Sequence, residues 1–290
     1  MSGRPDPITL VAAAVAVALV LACAGAPLVE AWLGVDAQET DLLKRFAAGS
    51  AGHPLGNDEV GRDLLTRLLY GGRISLLVGI VSALMAATIG SLLGILAGYS
   101  GGRFDAVLMR LTDGIIALPL LAVLIVLAAI DLKKLGIPDA FVESRYTSLV
   151  RIVLITALFS WTTVARLARA ATLTLKSRDF VRAAVAMGAP PWRVMLRHVL
   201  PNAMSPILVA TALAVGEVIK FESVLSFLGL GIQPPMPSWG NMLTNAQEMI
   251  WTAPHLAIWP GCLILVAVAC CNLLADALAR WLDPRRRQQR

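Results

Sequence analysis

The chain has 290 residues, of which 57% are hydrophobic and 15% are charged, and its mean hydropathy is +0.73. A water-soluble domain of this length needs far less apolar surface for its core, so the composition excludes an ordinary soluble protein. The formal charge of +6 could suit nucleic acid, but the basic residues gather in particular loops, as is typical of membrane orientation.

The apolar residues form long blocks and do not follow amphipathic spacing, which is typical of helices surrounded by hydrocarbon. A hydrocarbon core requires about 20 residues of helix. Blocks near that length lie at 8–26, 74–97, 115–130, 152–165, 204–218 and 256–274. The third, fourth and fifth blocks are short and need flanking residues to complete a crossing. We therefore predict an all-α membrane protein with about six transmembrane helices.

The chain divides into three predicted parts. Residues 1–73 hold the first span and an outer loop, residues 74–280 hold a five-helix core, and residues 281–290 form a basic tail. Just before the second span, residues 60–70 mix leucines with charged residues, and Asp63 and Arg67 lie at pairing distance. This pattern predicts a short helix lying on the outer membrane surface.

Small residues and prolines mark packing and bends within the spans. Gly90, Gly94 and Gly98 form a ridge that lets another helix backbone approach closely, and packing within the chain is favoured over a subunit contact. Prolines within or beside spans predict kinks. They are Pro119, Pro206 and Pro260. All four cysteines lie in apolar blocks, where they act as small hydrophobes, so no metal or redox site is predicted. They are Cys23, Cys262, Cys270 and Cys271.

Basic residues determine the predicted orientation. The loop at 166–203 carries seven Lys and Arg against a lone Asp179, and a second basic segment follows the sixth span. Two spans separate these segments, so both lie on one face, which the positive-inside rule makes cytoplasmic. Both termini are then cytoplasmic, with 15 Lys and Arg against 6 Asp and Glu inside, and 10 against 13 outside.

The basic loop contains a predicted helix of two or three turns. Ser177 or Asp179 can cap its start, and Gly188 can end it in the left-handed conformation. One apolar stripe has the spacing i, i+3, i+4, i+7. It consists of Phe180, Ala183, Ala184 and Met187. The stripe requires a cover, from the chain's own helix ends, lipid headgroups or a groove on a soluble partner, and composition alone favours the first two.

Residues of this loop match a known pattern at the correct spacing. They are Ala183, Ala184, Gly188, Leu200 and Pro201. The stretch resembles the EAA loop of ABC-importer permeases, which starts with glutamate-alanine-alanine, has glycine four residues after the second alanine, and ends in leucine-proline. Arg182 replaces the glutamate and His198 replaces an isoleucine of the general pattern. Both departures are similar to the dipeptide/oligopeptide/nickel branch.

Two further regions resemble the C-type permease subunit of that branch. One is HPLGNDEVGRD at 53–63, which leads into RIS at 73–75. The other is ESVLSFLGLG at 222–231, followed by PP at 234–235, WG at 239–240, NLLAD at 272–276 and LDP at 282–284. The resemblance covers nearly the whole chain. It implies the type I ABC importer permease fold and a location in the bacterial cytoplasmic (inner) membrane.

The resemblance also implies a mechanism and partners. The loop helix would be the coupling helix, seated in a groove of a cytoplasmic ATPase subunit. Its predicted coupling residues are Arg178, Phe180, Arg182, Ala183, Ala184, Met187 and Gly188. The predicted partners are a second homologous permease subunit, two ATP-binding subunits, an extracytoplasmic substrate-binding protein and membrane lipid, but not nucleic acid. The chain has no phosphate-cradling motif, so it is predicted to be a non-enzyme without a cofactor, with ATP and Mg bound by the partners.

Charges cluster at the outer end of the fifth span. We predict that Glu217, Lys220, Glu222 and Ser223 belong to the pathway or an outer gate, although residues this near a span end can also lie among headgroups. An ion-coupled secondary transporter is the main alternative, but it would place acidic residues at mid-span or contain repeated broken helices. An intramembrane enzyme is weaker, because all three histidines lie outside the spans. The substrate, whether dipeptide, oligopeptide or nickel chelate, is not determined by any residue.

Overall fold

The computed structural model describes residues 6–144, 146–244 and 246–282, which leaves most of the predicted basic tail outside the described residues. The described part is helical and has no strand beyond a single bridge between Asn57 and Asp63. The helices are α1 (Pro7–Ala24), α2 (Ala26–Leu33), α3 (Leu64–Ser100), α4 (Gly102–Ala117), α5 (Leu120–Ala129), α6 (Asp139–Val142), α7 (Thr147–Lys176), α8 (Asp179–Ala186), α9 (Pro191–Val194), α10 (Leu200–Phe227), α11 (Ala246–Met249) and α12 (His255–Leu282). Single 3-10 turns lie at Leu42–Lys44, Leu132–Leu135 and Asn241–Leu243, and a π-helical turn lies at Met195–Val199.

Five helical segments are long and apolar enough to cross a membrane. They are α1, α3, α7, the continuous run Pro191–Phe227 that contains α9 and α10, and α12. Helices α4 and α5 pass the same test together and make a sixth crossing, bent by 86°. The prediction of about six spans in an all-α protein is therefore confirmed.

The prediction for residues 60–70 was wrong. Helix α3 begins at Leu64 and continues without a break to Ser100, so no separate surface helix precedes the second span. Asp63 caps α3 by accepting a hydrogen bond from the Thr66 N–H at 2.8 Å, and Arg67 pairs with Asp58 at 3.3 Å instead of with Asp63. The predicted division between residues 73 and 74 falls inside this helix.

The third span is broken and is not the single segment predicted at 115–130. Helix α4 ends at Ala117, and α5 starts at Leu120 after Pro119, which supplies no backbone N–H. With ten residues, α5 is about 15 Å long, half of a hydrocarbon core. Pro119 therefore lies at a break where a kink was predicted, whereas Pro206 and Pro260 lie inside α10 and α12.

The bundle has two distinct ends. The Lys176 ammonium donates a hydrogen bond to the Tyr99 carbonyl, so α3 and α7 end side by side, and α8 follows at once. We call this the α8 end. Ser75, near the start of α3, donates to Glu222, near the end of α10, which defines the opposite end as the far end. Because α3 ends at the α8 end and α7 starts at the far end, residues 101–146 must cross the bundle.

Both described termini lie together. Arg280, near the end of α12, forms an ion pair with Asp6 at 3.6 Å. Helix α12 runs antiparallel to α10, because Gly216 lies against Cys271 whereas Ile219 packs with Leu256. The described ends of the chain are therefore at the α8 end, in agreement with the predicted parity, while the side of the membrane that this end faces stays a prediction.

The glycine ridge of α3 packs against α7 of the same chain. A Cβ at Gly90 would lie 2.5 Å from the Trp161 carbonyl oxygen, and one at Gly98 would lie 2.9 Å from that of Arg169. At Gly94 a Cβ would overlap the Ala165 carbonyl. The two backbones are therefore in direct contact over two helical turns, and the predicted packing within the chain is confirmed.

Candidate functional site

Helix α8 is a separate short helix at the α8 end, and a glycine follows its last turn. It starts at Asp179 without a side-chain cap, and the Ser177 hydroxyl donates to the Thr174 carbonyl, so neither predicted cap forms. After Ala186 the chain passes through Gly188, whose φ is +83°. This left-handed conformation lets the Ala189 N–H donate to the Ala184 carbonyl at 3.1 Å. The prediction that Gly188 ends the helix is confirmed.

The predicted apolar stripe of α8 is divided between two faces. Val181 and Ala184 are 1% and 3% exposed, and Val181 packs in one cluster with Ile95, Val194 and Val199. The remaining stripe residues face outward. They are Phe180, which is 45% exposed, Ala183, and Met187, which is 82% exposed. Ala184 therefore anchors α8 to its own bundle, and it is not available to a partner.

The outward surface is apolar with a basic border. Val185 is exposed beside the outward stripe residues, and Trp192 on the neighbouring α9 is 58% exposed. Arg178 and Arg182 are exposed, and within the described ranges no acidic side chain pairs with either. The predicted stripe did not include Val185, which lies outside the i, i+3, i+4, i+7 spacing, or Trp192, which belongs to another helix. We call Phe180, Ala183, Val185, Met187 and Trp192 the α8 patch.

A second feature is an open groove of about 340 Å³ among α4, α5, α7 and α10. Its lining residues are Ile115, Ile116, Leu120, Phe159, Ser160, Thr162, Thr163, Val164, Leu167, Ala210, Leu213, Ala214, Glu217 and Phe221. Residues 159–163 and 210–214 lie at the middle of α7 and α10, so the groove is at mid-span depth. Glu217 is the one charged side chain among these described lining residues.

The four predicted pathway residues occupy different environments. Glu217 is half-exposed and forms an ion pair with Lys220 at 2.6 Å, one turn along α10. Glu222 is completely buried, and Ser223 is buried and donates to the Ile219 carbonyl. Of the four, Glu217 alone lines the groove.

Glu222 is the centre of a buried network at the far end. Its carboxylate accepts hydrogen bonds from the hydroxyls of Ser75 at 3.0 Å and Ser226 at 2.7 Å, and also from Ser238. Each serine hydroxyl in turn accepts a backbone N–H from the segment after α10. The donors are Trp239 to Ser75, Ile232 to Ser226 and Asn241 to Ser238. Glu222 thus fixes residues 232–241 onto the ends of α3 and α10, and we call this the Glu222 network.

The motif at 53–63 forms a compact turn that covers the start of α3. Asp58 accepts hydrogen bonds from the Arg62 guanidinium and N–H and pairs with buried Arg67 at 3.3 Å. His53 and Asp63 lie 3.1 Å apart through Nδ1 and Oδ1. Apart from Asn57 Oδ1, which has no partner among the described residues, these buried polar groups are bonded within the chain, so the motif is a structural element of the far end.

Comparison with known proteins identifies the family. Residues 90–288 match the family described as "Binding-protein-dependent transport system inner membrane component". The chain belongs to this family. The permease is 41% identical over 236 residues to the glutathione transport system permease protein GsiD of Pectobacterium atrosepticum, which covers 81% of this chain and 74% of that protein.

Other relatives have similar names. The di/tripeptide transport system permease protein DppC of Pseudomonas aeruginosa is 41% identical over 237 residues, 82% of the permease and 74% of that protein. The oligopeptide transport system permease protein OppC of Haemophilus influenzae is 37% identical over 235 residues, 81% of the permease and 71% of that protein. These matches confirm the resemblance to C-type permease subunits of peptide ABC importers.

The family defines what the permease is. It is a multi-pass inner-membrane component of a binding-protein-dependent transport system, and it is not the catalytic part of that system. The relatives favour this function over an ion-coupled secondary transporter. Among residues 6–144, 146–244 and 246–282, no group of three or more His, Cys, Asp or Glu side chains is placed to hold a metal ion.

Proposed function

We propose that the permease forms half of the transmembrane channel of an ATP-driven importer for dipeptides, oligopeptides or a related small solute. Its relatives are named for di/tripeptide, oligopeptide and glutathione transport, which supports a peptide-like substrate. A second homologous permease subunit supplies the other half of the channel. An extracytoplasmic binding protein delivers the solute, in keeping with the family description.

The observation that carries the proposal is the α8 patch. It presents large apolar side chains on the outward face of a short helix at the end of the bundle, beside Arg178 and Arg182, which pair with no acidic side chain of the described residues. An amphipathic helix of this kind fits an apolar groove with an acidic rim. We assign that groove to one of two ATP-binding subunits, which bind ATP and Mg, and we assign the α8 end to the cytoplasm.

The inner face of α8 connects this helix to the transmembrane bundle, so that a displacement of α8 would move the bundle. Ala184 is buried, and Val181 is packed among residues of α3, α9 and the start of α10, so α8 moves together with these elements. Closure of the ATPase dimer would displace α8 and rock the bundle between inward-open and outward-open states. Glu217 then lines the pathway in the groove, whereas the Glu222 network holds the far end.

Two substitutions of alanine by aspartate, one of them a control, test the docking surface. Ala183→Asp puts a charge on the outward face of α8, so we expect it to remove the ATPase subunits from the purified complex and to abolish uptake. Ala140→Asp is the control, because Ala140 is an exposed alanine of a short helix at the far end. Normal copurification of ATPase subunits with Ala183→Asp would overturn the docking assignment.

A reporter at the C-terminus tests the orientation. A green fluorescent protein fused after residue 290 should be fluorescent, and alkaline phosphatase fused at the same position should be inactive, because the first reporter functions inside the cell and the second outside. The opposite pair of results would place the α8 end outside the cell and exclude contact with a cytoplasmic ATPase.

A further inference from the structure

The broken third span lies on the wall of the mid-span groove. Ile115 and Ile116 precede the break, Leu120 follows it, and all three line the groove. Leu118 and Pro119, which form the break, are exposed and lie between these lining residues in the chain. Non-helical backbone is therefore open to the surroundings at a depth where hydrocarbon would otherwise surround the bundle.

This position excludes lipid as the neighbour of the break. The end of a helix leaves carbonyl groups without partners, and Pro119 removes an N–H that would satisfy one of them. In hydrocarbon each unsatisfied group costs several kcal/mol, so irregular backbone occurs at this depth only inside protein or beside water. In the proposed channel the break therefore faces water or the second permease subunit, and not lipid. The hydroxyls of Ser160 and Thr163 add polar groups to a groove that is otherwise mostly apolar.

The electrostatics of the groove favour a cation. The carboxyl end of α4 carries the negative end of that helix dipole. Glu217 adds a full negative charge on the α10 wall, and the rings of Phe159 and Phe221 line the same space. Carbonyls, a carboxylate and aromatic faces are the groups that bind an ammonium ion. Lys220, the partner of Glu217, is outside the lining and is half-exposed, so the pair can open at little cost.

We propose that this groove is a binding site for the protonated amino group of the transported solute, with Glu217 as its counter-ion at mid-span. The inference rests on the proposed function and specifies its substrate class as amine-bearing solutes such as peptides. During passage the ammonium replaces Lys220 as the partner of Glu217, and the carboxyl end of α4 supplies further acceptors.

The first experiment measures the charge preference of the groove without any substrate. Leu213 lines the groove, so Leu213→Cys is introduced into the assembled importer with the four native cysteines replaced by alanine. Reaction rates are compared for a cationic trimethylammonioethyl and an anionic sulfonatoethyl methanethiosulfonate. We expect Glu217→Gln to lower the cation-to-anion rate ratio roughly threefold or more, and Glu217→Asp to preserve it. An unchanged ratio, or a thiol reached by neither charged reagent, would overturn the proposal.

The second experiment measures transport of radiolabelled dialanine and ATP hydrolysis in vesicles that contain the complete importer and its binding protein. Glu217→Gln should lower uptake roughly tenfold while ATP hydrolysis persists, since it removes one charged partner. The control, Glu39→Gln, changes an exposed carboxylate outside the groove and should import normally. Normal ATP-dependent uptake by Glu217→Gln would overturn the site but leave the importer intact. Uptake that survives inactivation of the ATPase subunits would instead contradict the proposed function.

Discussion

The two ends of the permease differ in which side chains they expose and which they bury. At the α8 end, large apolar residues such as Phe180 and Met187 remain exposed on a helix of eight residues. At the far end, a carboxylate and an ion pair are buried, and their bonds are made within the chain. The α8 end therefore presents an apolar surface on a short helix, whereas the far end buries a polar network, although Leu43 and Trp251 remain exposed there. Substitutions at the two ends should consequently change different properties.

The largest effect on stability is expected at Glu222. Glu222→Ala leaves three buried serine hydroxyls without their common acceptor and frees residues 232–241, at a cost of about 3 kcal/mol or more in the free energy of unfolding. Thermal unfolding of the purified permease measures the loss. Glu222→Gln, which keeps the shape and one acceptor, should lose much less. Equal stability of wild-type and Glu222→Ala proteins would show that the network does not hold the far end.

The next effect is expected at Asp58. Asp58→Ala leaves Arg67 buried without this partner and removes the acceptor for the Val60 and Arg62 N–H groups, which should destabilise the permease by about 2–3 kcal/mol. The same unfolding assay applies, and the ATPase subunits should still copurify at low temperature. Loss of the ATPase subunits from a stable Asp58→Ala permease would contradict the separation of the two ends.

Gly188→Val should cause a smaller loss of stability but a complete loss of coupling. No neighbour lies within 4 Å of a Cβ at Gly188, so the substitution introduces backbone strain of about 1–2 kcal/mol per residue at φ +83° and no steric overlap. The strain redirects the exit of α8, and we expect uptake to cease while the permease remains in the membrane. Gly52→Val is the control, because a Cβ there also has free space and its φ is not left-handed. Normal uptake by Gly188→Val would refute the role of this turn.

The smallest effect is expected for the arginines beside the α8 patch. Arg178→Ala and Arg182→Ala remove exposed charges, so neither should change the unfolding temperature. Each should slow the binding of the ATPase subunits and reduce its dependence on salt concentration. Association rates at two ionic strengths test this, and an unchanged salt dependence would remove both residues from the interface.

Much of the fold was predictable because single residues carry the signal. Apolar blocks located the spans, Pro119 indicated a kink in the third span, and Gly188 indicated the end of α8. The sequence did not predict which residues of α8 face outward. Four apolar residues share one stripe in the sequence, but the rotation of the helix depends on Ile95 and Val199, which are distant in the chain. Periodicity shows that a face is apolar, and only tertiary packing shows which part of it is covered.

The charged end of α10 illustrates the same limit. Glu217 and Glu222 are five residues apart, and sequence reasoning placed them in one cluster. Their environments differ because Ser75 lies 147 residues before Glu222, whereas the surroundings of Glu217 come from α4, α5 and α7. Partners at such separations leave no local pattern. Pro119 likewise indicated a kink in the third span, but its sequence neighbourhood did not show that the span is broken with a bend of 86°.

The glycine ridge has a consequence for motion. Along Gly90, Gly94 and Gly98, the backbones of α3 and α7 are in contact, and the side chains of Val164, Ala168 and Thr172 fill the adjoining space. We therefore expect the two helices to move together as one rigid unit. Ion pairs of Asp105 with Arg169 and of Asp113 with Arg166 join α4 to this unit. Leu108 of α4 and Leu124 of α5 are also buried in apolar clusters with residues of α7, so both halves of the broken third span should follow its motion.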